Sequence, residues 1–162
     1  MNKNDKHSLQ WKPNVTVAAV VHQHDRFLLV EEDADNHIVL NQPAGHLEKD
    51  EHLLDAVRRE VLEETARDFR PESLIGVYLY PNRFVEDITY LRFCFAGTCG
   101  DRDPDLRLDD GIIRTVWLTR DELVQNRDRL RSPLVMKCFD DYLAGRRYPL
   151  EMLDYSLLSP RP

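Results

Sequence analysis

The longest uninterrupted apolar runs in this chain are short, such as Val17–Val21 and Phe27–Val30. Runs of four or five residues, rich in Val and Leu, suit strands buried in a sheet. They fall far short of the roughly 20 residues a membrane-crossing helix needs. His22-Gln23-His24-Asp25 separates the two, so they read as a hairpin across a solvated polar turn. Ile38–Leu40, Leu74–Tyr80, Ile88–Ala96 and Ile112–Leu118 read as further strands. In Ile88–Ala96 the residues Tyr90, Arg92, Cys94 and Ala96 alternate with Leu91, Phe93 and Phe95, which is a strand's period of two. Asn41-Gln42-Pro43-Ala44-Gly45 and Pro81–Asp87 read as loops, and Gly97–Asp110 as a long acidic one.

Three segments carry helical signals instead. Asp50 reads as the N-cap of a helix over Glu51–Thr65, whose apolar stripe is Leu54, Val57 and Val61. Pro71 bars its simple continuation. Thr119 or Asp121 opens a short helix through Val124. Ser132-Pro133 opens a last helix to about Ala144, with Gly145 just beyond it. Strands and helices together give an α/β class, a mixed sheet carrying a few helices.

The 162 residues suit one domain. A loose arm is expected over 1–12, with Trp11 as its one large apolar residue, then the domain over 13–152 and a tail over 153–162. Such a domain buries roughly two-thirds of its unfolded surface and folds without disulfides. Cys94, Cys99 and Cys138 are odd in number and lack metal-like spacing, so they read as reduced thiols packed as small hydrophobes. The first twelve residues have no signal-peptide core, and a cytoplasmic location is expected. The net charge of -7 gives no general attraction for a nucleic-acid backbone or an anionic membrane. A small-molecule partner is expected, with no nucleic acid and no membrane, in a monomer or homodimer.

Between Gly45 and Glu64 stand seven acids, Glu48, Asp50, Glu51, Asp55, Glu60, Glu63 and Glu64. The last three fall at i, i+3 and i+4, on one face of the expected helix. Like charges at that spacing repel, and the C-terminal end of a helix disfavours anions. Both penalties call for a cation, and hard oxygen ligands suit Mg²⁺, with Mn²⁺ the second choice. Arg59 and the distant Glu51 are placed to brace this turn as an ion pair. Taken alone, three carboxylates are better described as a solvated acidic face.

The wider spacing decides between them. Gly45-x5-Glu51-x7-Arg59-Glu60-Val61-x-Glu63-Glu64 resembles the Nudix box, G-x5-E-x7-R-E-U-x-E-E-x-G-U with U aliphatic. Seven of its nine defined positions are met, every charged one among them. Ala66 stands where the family has Gly, and Arg67 where it has an aliphatic residue. Ala66 suggests that the helix runs on or ends differently, with Phe69 supplying the missing apolar contact.

The resemblance implies a Nudix fold, an α/β/α sandwich around a mixed β-sheet. It implies a Mg²⁺-dependent hydrolase of phosphoanhydrides. Glu60, Glu63, Glu64 and the Ala44 carbonyl would hold the metal, Gly45 and Glu51 would shape the box, and Arg59 would brace it. Glu63 and Glu60 are the candidate bases. Asp109 or Asp110 would add a late acidic ligand or base, against a solvated loop as the equal alternative.

Pro13–Ala18, Asn41–Glu48, Arg131–Val135 and Gly145–Met152 extend the similarity toward a bacterial Nudix phosphatase type. That type releases phosphate from nucleoside di- and triphosphates, and from thiamin diphosphate and its pyrimidine precursor diphosphate. His46, Tyr78, Tyr80, Arg83 and Arg92 are candidates for substrate contact, each weighed against ordinary packing or surface pairing. His22 and His24 read as solvated, and Arg146-Arg147 chiefly as cations at a helix end.

Two rivals stay open. Pro81, 14 positions beyond Arg67, lies about where ADP-ribose hydrolases carry a marker proline. A non-catalytic nucleotide-sensing module is the other, with the intact carboxylates against it.

Overall fold

The computed structural model describes residues 10–34, 36–82 and 85–158. Its frame is a seven-stranded mixed sheet of β1 (Asn14–Gln23), β2 (Arg26–Ala34), β3 (His37–Asn41), β4 (Ala44–His46), β5 (Phe69–Pro81), β6 (Thr89–Cys99) and β7 (Ile112–Leu118). The order is β3-β2-β1-β6-β5, with β4 beside β1 and β7 beside β2. β1 and β6 run parallel from Asn14↔Tyr90 to Val21↔Gly97, and the other pairs are antiparallel. The hairpin turn expected after β1 is present, but His22 is not solvated. It is half-buried and stacks on Phe27 with ring centroids 4.5 Å apart.

Alternation along β1 makes two cores. Val17, Ala19 and Val21 pack with Ala56, Val57 and Val61 of α1 (Leu53–Thr65). Ala18 and Val20 face the other way, toward Val135, Cys138 and Phe139 of α3 (Pro133–Leu143), and toward Leu123 of the short α2 (Arg120–Gln125). Both faces of the central strands are therefore covered, as the all-apolar run of β1 requires. Cys94 and Cys138 are buried and Cys99 half-buried, all as free thiols. Trp11 is 58% exposed, and residues 1–9 of the expected arm lie outside the described residues.

Several expected boundaries move. α1 begins at Leu53 behind His52, not at Glu51, and Asp50 is no N-cap. Asp50 sits at φ 60° in a turn where the Glu51 carboxylate accepts from Glu48 N–H at 3.1 Å. α1 does not run on past Thr65. Ala66 takes the left-handed conformation, φ 54° and ψ 39°, that a glycine would take there, and its N–H bonds Leu62 O at 2.8 Å.

Residues 44–46 form a short strand rather than a loop, because their backbone pairs with Thr16–Ala18. β5 starts at Phe69, five residues before the expected Leu74, and β6 runs three residues beyond Ala96 to Cys99. Pro71 is accommodated on the edge strand beside a register shift. Thr119 opens α2 with a complete capping box to Glu122. Ser132 precedes α3 without a side-chain cap bond, and Gly145 turns at φ 82°.

Candidate active site

The site forms where β4 meets the C-terminal half of α1. Gly45 pairs with Val17, on the face that α1 covers. A Cβ on Gly45 would come within 2.1 Å of the Glu60 carboxylate, so only glycine leaves that carboxylate its place. One residue earlier, Ala44 N–H donates to Glu64 Oε2 at 2.9 Å. The short strand therefore positions two of the three helix carboxylates.

Arg59 binds the rest together. Its Nε and Nη2 donate to the two oxygens of Glu51 at 2.9 and 3.1 Å. Nη2 also donates to the His46 carbonyl at 3.0 Å. Nη1 donates to Glu60 at 2.7 Å and Glu63 at 3.0 Å. The expected brace between Arg59 and Glu51 is thus present, and it reaches two of the box carboxylates as well. The Glu51 hydrogen bonds hold the guanidinium firmly charged, against its partial burial.

Glu60 and Glu64 are buried, and Glu63 is half-exposed. Burial raises the Glu60 carboxyl above its ordinary range. Arg59 opposes that shift, and the charges of Glu63 and Asp109 add to it. Glu64 is pushed up to about 9, chiefly by burial, against the Ala44 N–H and with help from Glu32, Glu60 and Asp109. Like charges crowded in a poorly solvated place shift this way when no cation compensates them.

The acidic loop after β6 is tied to the end of α1. Asp109 N–H bonds Glu63 O at 3.0 Å, Asp103 N–H bonds Ala66 O at 2.7 Å, and Gly100 N–H bonds Asp68 O at 3.1 Å. The first two bonds satisfy carbonyls the helix end leaves open, and the loop brings Asp109 within electrostatic reach of Glu60 and Glu64. Asp110 is exposed on the same loop. Glu32 of β2 belongs to this acidic group and has no place in the box spacing. The signal for it was the run Glu31-Glu32-Asp33 closing an otherwise apolar strand.

Among the described residues, no three His, Cys, Asp or Glu side chains already stand as a metal cage. The donor set nevertheless fits a hard divalent cation. Its donors are all oxygen, two of its carboxylates are buried, and burial raises Glu64, with the neighbouring negative charges adding to the shift.

The NUDIX domain matches residues 12–137. The chain belongs to the Nudix family. It is 42% identical over 144 residues to the Phosphatase NudJ of Escherichia coli K12, covering 88% of this chain and 92% of that one. The Shigella flexneri Phosphatase NudJ matches to the same extent. A NUDIX hydrolase structure from Nitrosomonas europaea superposes with a TM-score of 0.86 at 52% identity, over 89% of this chain and 97% of that one. The E. coli ORF135 protein, at 20% identity and a TM-score of 0.68 over 83% and 91% of the two chains, shares the fold.

This Nudix chain is accordingly a hydrolase of phosphoanhydride bonds with the α/β architecture expected. Nudix hydrolases generally use divalent metal ions and act on small-molecule nucleotides. No helix among the described residues is long and apolar enough to cross a membrane.

The substrate candidates fall in one area, with an exception. His46, Tyr78, Tyr80 and Arg92 lie on neighbouring strands of the sheet face opposite α1. Arg83 lies outside the described residues. The Tyr78 hydroxyl donates to Asp141 at 2.9 Å, which gives that ring a packing role. Arg146 pairs with Asp141, and Arg147 lies over the Tyr142 ring 3.8 Å from its centroid. Arg67 fills the box's aliphatic position by stacking toward Trp117 and donating to Gly100 O at 2.8 Å.

Proposed function

We propose that this chain is a Mg²⁺-dependent Nudix phosphatase. It would release inorganic phosphate from nucleoside di- and triphosphates, and from thiamin diphosphate or its pyrimidine precursor diphosphate. The observation that carries this reading is the pair of buried carboxylates, Glu60 and Glu64, crowded by Glu63, Glu32 and Asp109. The 42% identity with Phosphatase NudJ over 88% of the chain supports a phosphatase activity.

Glu60, Glu63, Glu64 and the Ala44 carbonyl are the groups that would hold the ion. A bound divalent ion neutralises phosphate oxygens and makes water a better nucleophile at neutral pH. This chain's own residues do the remainder. The Arg59 guanidinium, fixed at both Glu51 oxygens, keeps Glu60 and Glu63 on the site side of α1. Glu63, half-exposed and bonded only at one oxygen among the described contacts, is the candidate to take a proton from water. Glu60 is the second choice. Asp109, held by its backbone to Glu63, adds a negative charge that acts on Glu60 and Glu64.

The test is a phosphate-release screen with Mg²⁺, with and without excess chelator. Its panel holds nucleoside di- and triphosphates, thiamin diphosphate and ADP-ribose, with products identified by mass. Chelator-sensitive free phosphate from several substrates is expected. AMP from ADP-ribose alone would point to the pyrophosphatase reading. A folded protein that binds nucleotide and turns over nothing would point to a sensing module.

A further inference from the structure

The sheet face opposite α1 changes character along β1 and β6. Ala18, Val20, Cys94 and Ala96 lie in the core beneath α3. One row toward the start of β1 the residues turn polar. His46, Thr16, Arg92 and Tyr78 stand side by side across β4, β1, β6 and β5. Cross-strand partners project to the same face, so this is one continuous row. In the next row Tyr90 sits with its ring 6.4 Å from that of His46, tilted by 53°.

The middle of the row is unsatisfied. Thr16 is 4% exposed and its hydroxyl has no partner. Nε and Nη1 of Arg92 are also buried without a partner. No carboxylate among the described residues pairs with Arg92. The nearby Asp141 is bonded instead by Tyr78, Lys137 and Arg146. Buried polar groups are normally paired, and two orphans side by side call for an explanation.

Their position supplies one. Adjacent strands lie about 4.8 Å apart, which puts Arg92 roughly 10 Å across the sheet from β4. β4 begins at Ala44, whose N–H holds Glu64. Arg92 is therefore too far to serve the phosphorus attacked at the carboxylates, and well placed for the other end of the same substrate. A flat ring resting beside His46 and Tyr90 would turn its edge toward the orphaned donors.

We propose that Thr16 and Arg92 form a subsite for the hydrogen-bond-acceptor edge of a heteroaromatic ring at the far end of the substrate. Arg92 is then the residue that sets preference for ring-bearing diphosphates. This rests on the hydrolase reading and deepens it, and the test separates the two.

Metal-free protein is titrated with a pyrimidine nucleoside monophosphate and with ribose 5-phosphate, which shares its sugar phosphate but has a hydroxyl in place of the base. Wild type is expected to prefer the nucleotide by roughly tenfold, the size of effect that one or two hydrogen bonds support. Arg92→Met should abolish most of that preference while leaving ribose 5-phosphate binding unchanged. Its melting temperature should not fall, because the variant removes donors that are unpaired without ligand. Thr16→Val should lose part of the preference. A parallel arm compares kcat/KM for a nucleoside triphosphate and inorganic tripolyphosphate. The Arg92 variant should lose only the former, chiefly through KM.

Equal weakening of both ligands would overturn the proposal and make Arg92 a phosphate contact. A lower melting temperature with the preference intact would make it structural. A wild type that shows no preference, or binds neither ligand, also overturns it. Absence of turnover with binding preference retained would count against the hydrolase reading alone.

Discussion

At the residue scale, Arg59 joins five acceptors into one unit, with bonds to Glu51, Glu60, Glu63 and the His46 carbonyl. Lysine offers one point charge and no fork, so it cannot hold Glu51 and Glu60 together. Arg59→Lys is expected to cost about 1–3 kcal/mol in chemical denaturation, the range for charged hydrogen bonds lost from a partly buried network. Its turnover should fall more than tenfold. Gly45→Ala should behave differently. The added Cβ meets the end of the Glu60 side chain first, which can swing aside by giving up its bond to Arg59, so activity should collapse while the loss of stability stays smaller than that of Arg59→Lys. A large loss of stability there would show that Glu60 cannot yield.

The spacing of the box made these residues legible, including the Arg59–Glu51 pair. What it hid was Ala66. A left-handed Ala costs roughly 1–2 kcal/mol, which argued for a different helix end. Its fully buried methyl, at about 0.8 kcal/mol per buried carbon, offsets much of that. Ala66→Gly should accordingly change stability by less than about 1 kcal/mol, because the two terms oppose each other.

At the scale of elements, Glu31 shows how loops are tied to the sheet. It is a buried carboxylate on β2, bonded by Arg114 of β7 at 2.6 Å and by Arg129 in the turn after α2. The Arg114 hydrogen bond and then Arg129 hold its carboxyl below the ordinary range, against the cost of burial. The folded pKa lies below the unfolded one, so the unfolded state binds the proton more readily. The stabilisation is fully present above about pH 4.3, the unfolded value, and is lost as pH falls through the folded value. Glu31→Gln should lower the melting temperature at pH 7, and the gap from wild type should close on acidification below that point. A gap independent of pH would remove the carboxylate from the account.

Most element types followed from period and capping, and of the two expected starts of α2, Thr119 and Asp121, the box to Glu122 selects Thr119. Boundaries failed where tertiary bonds overrode local preference. Asp50 looked like a cap, but the Glu51 carboxylate organises that turn for the sake of Arg59 and Glu48. Pro71 obscured the first residues of β5, because an edge strand tolerates a missing N–H that a central one does not.

At the scale of the whole molecule, the parallel pairing of β1 with β6 could not be read from the sequence. Nothing local marks two distant strands as neighbours, and the polar row containing Thr16 and Arg92 exists only through that pairing. The same strand couples the two cores. Alternate residues of β1 serve the α1 side and the α3 side, so neither core can melt and leave β1 in place. Phe139→Ala, at a fully buried site under α3, should cost about 3–5 kcal/mol. Val57→Ala, fully buried on the α1 side, should cost about 2 kcal/mol for its two methyl groups.

Each variant should shift a single transition for the entire fold. Far-ultraviolet circular dichroism should report it together with the fluorescence of Trp117, which packs on the α1 core, while exposed Trp11 contributes little change. The coupling would be refuted by a Phe139→Ala protein whose circular dichroism midpoint falls while the Trp117 signal keeps its wild-type midpoint. The α3 layer would then unfold alone, and the polar row would rest on a sheet able to hold α1 and the carboxylates without it.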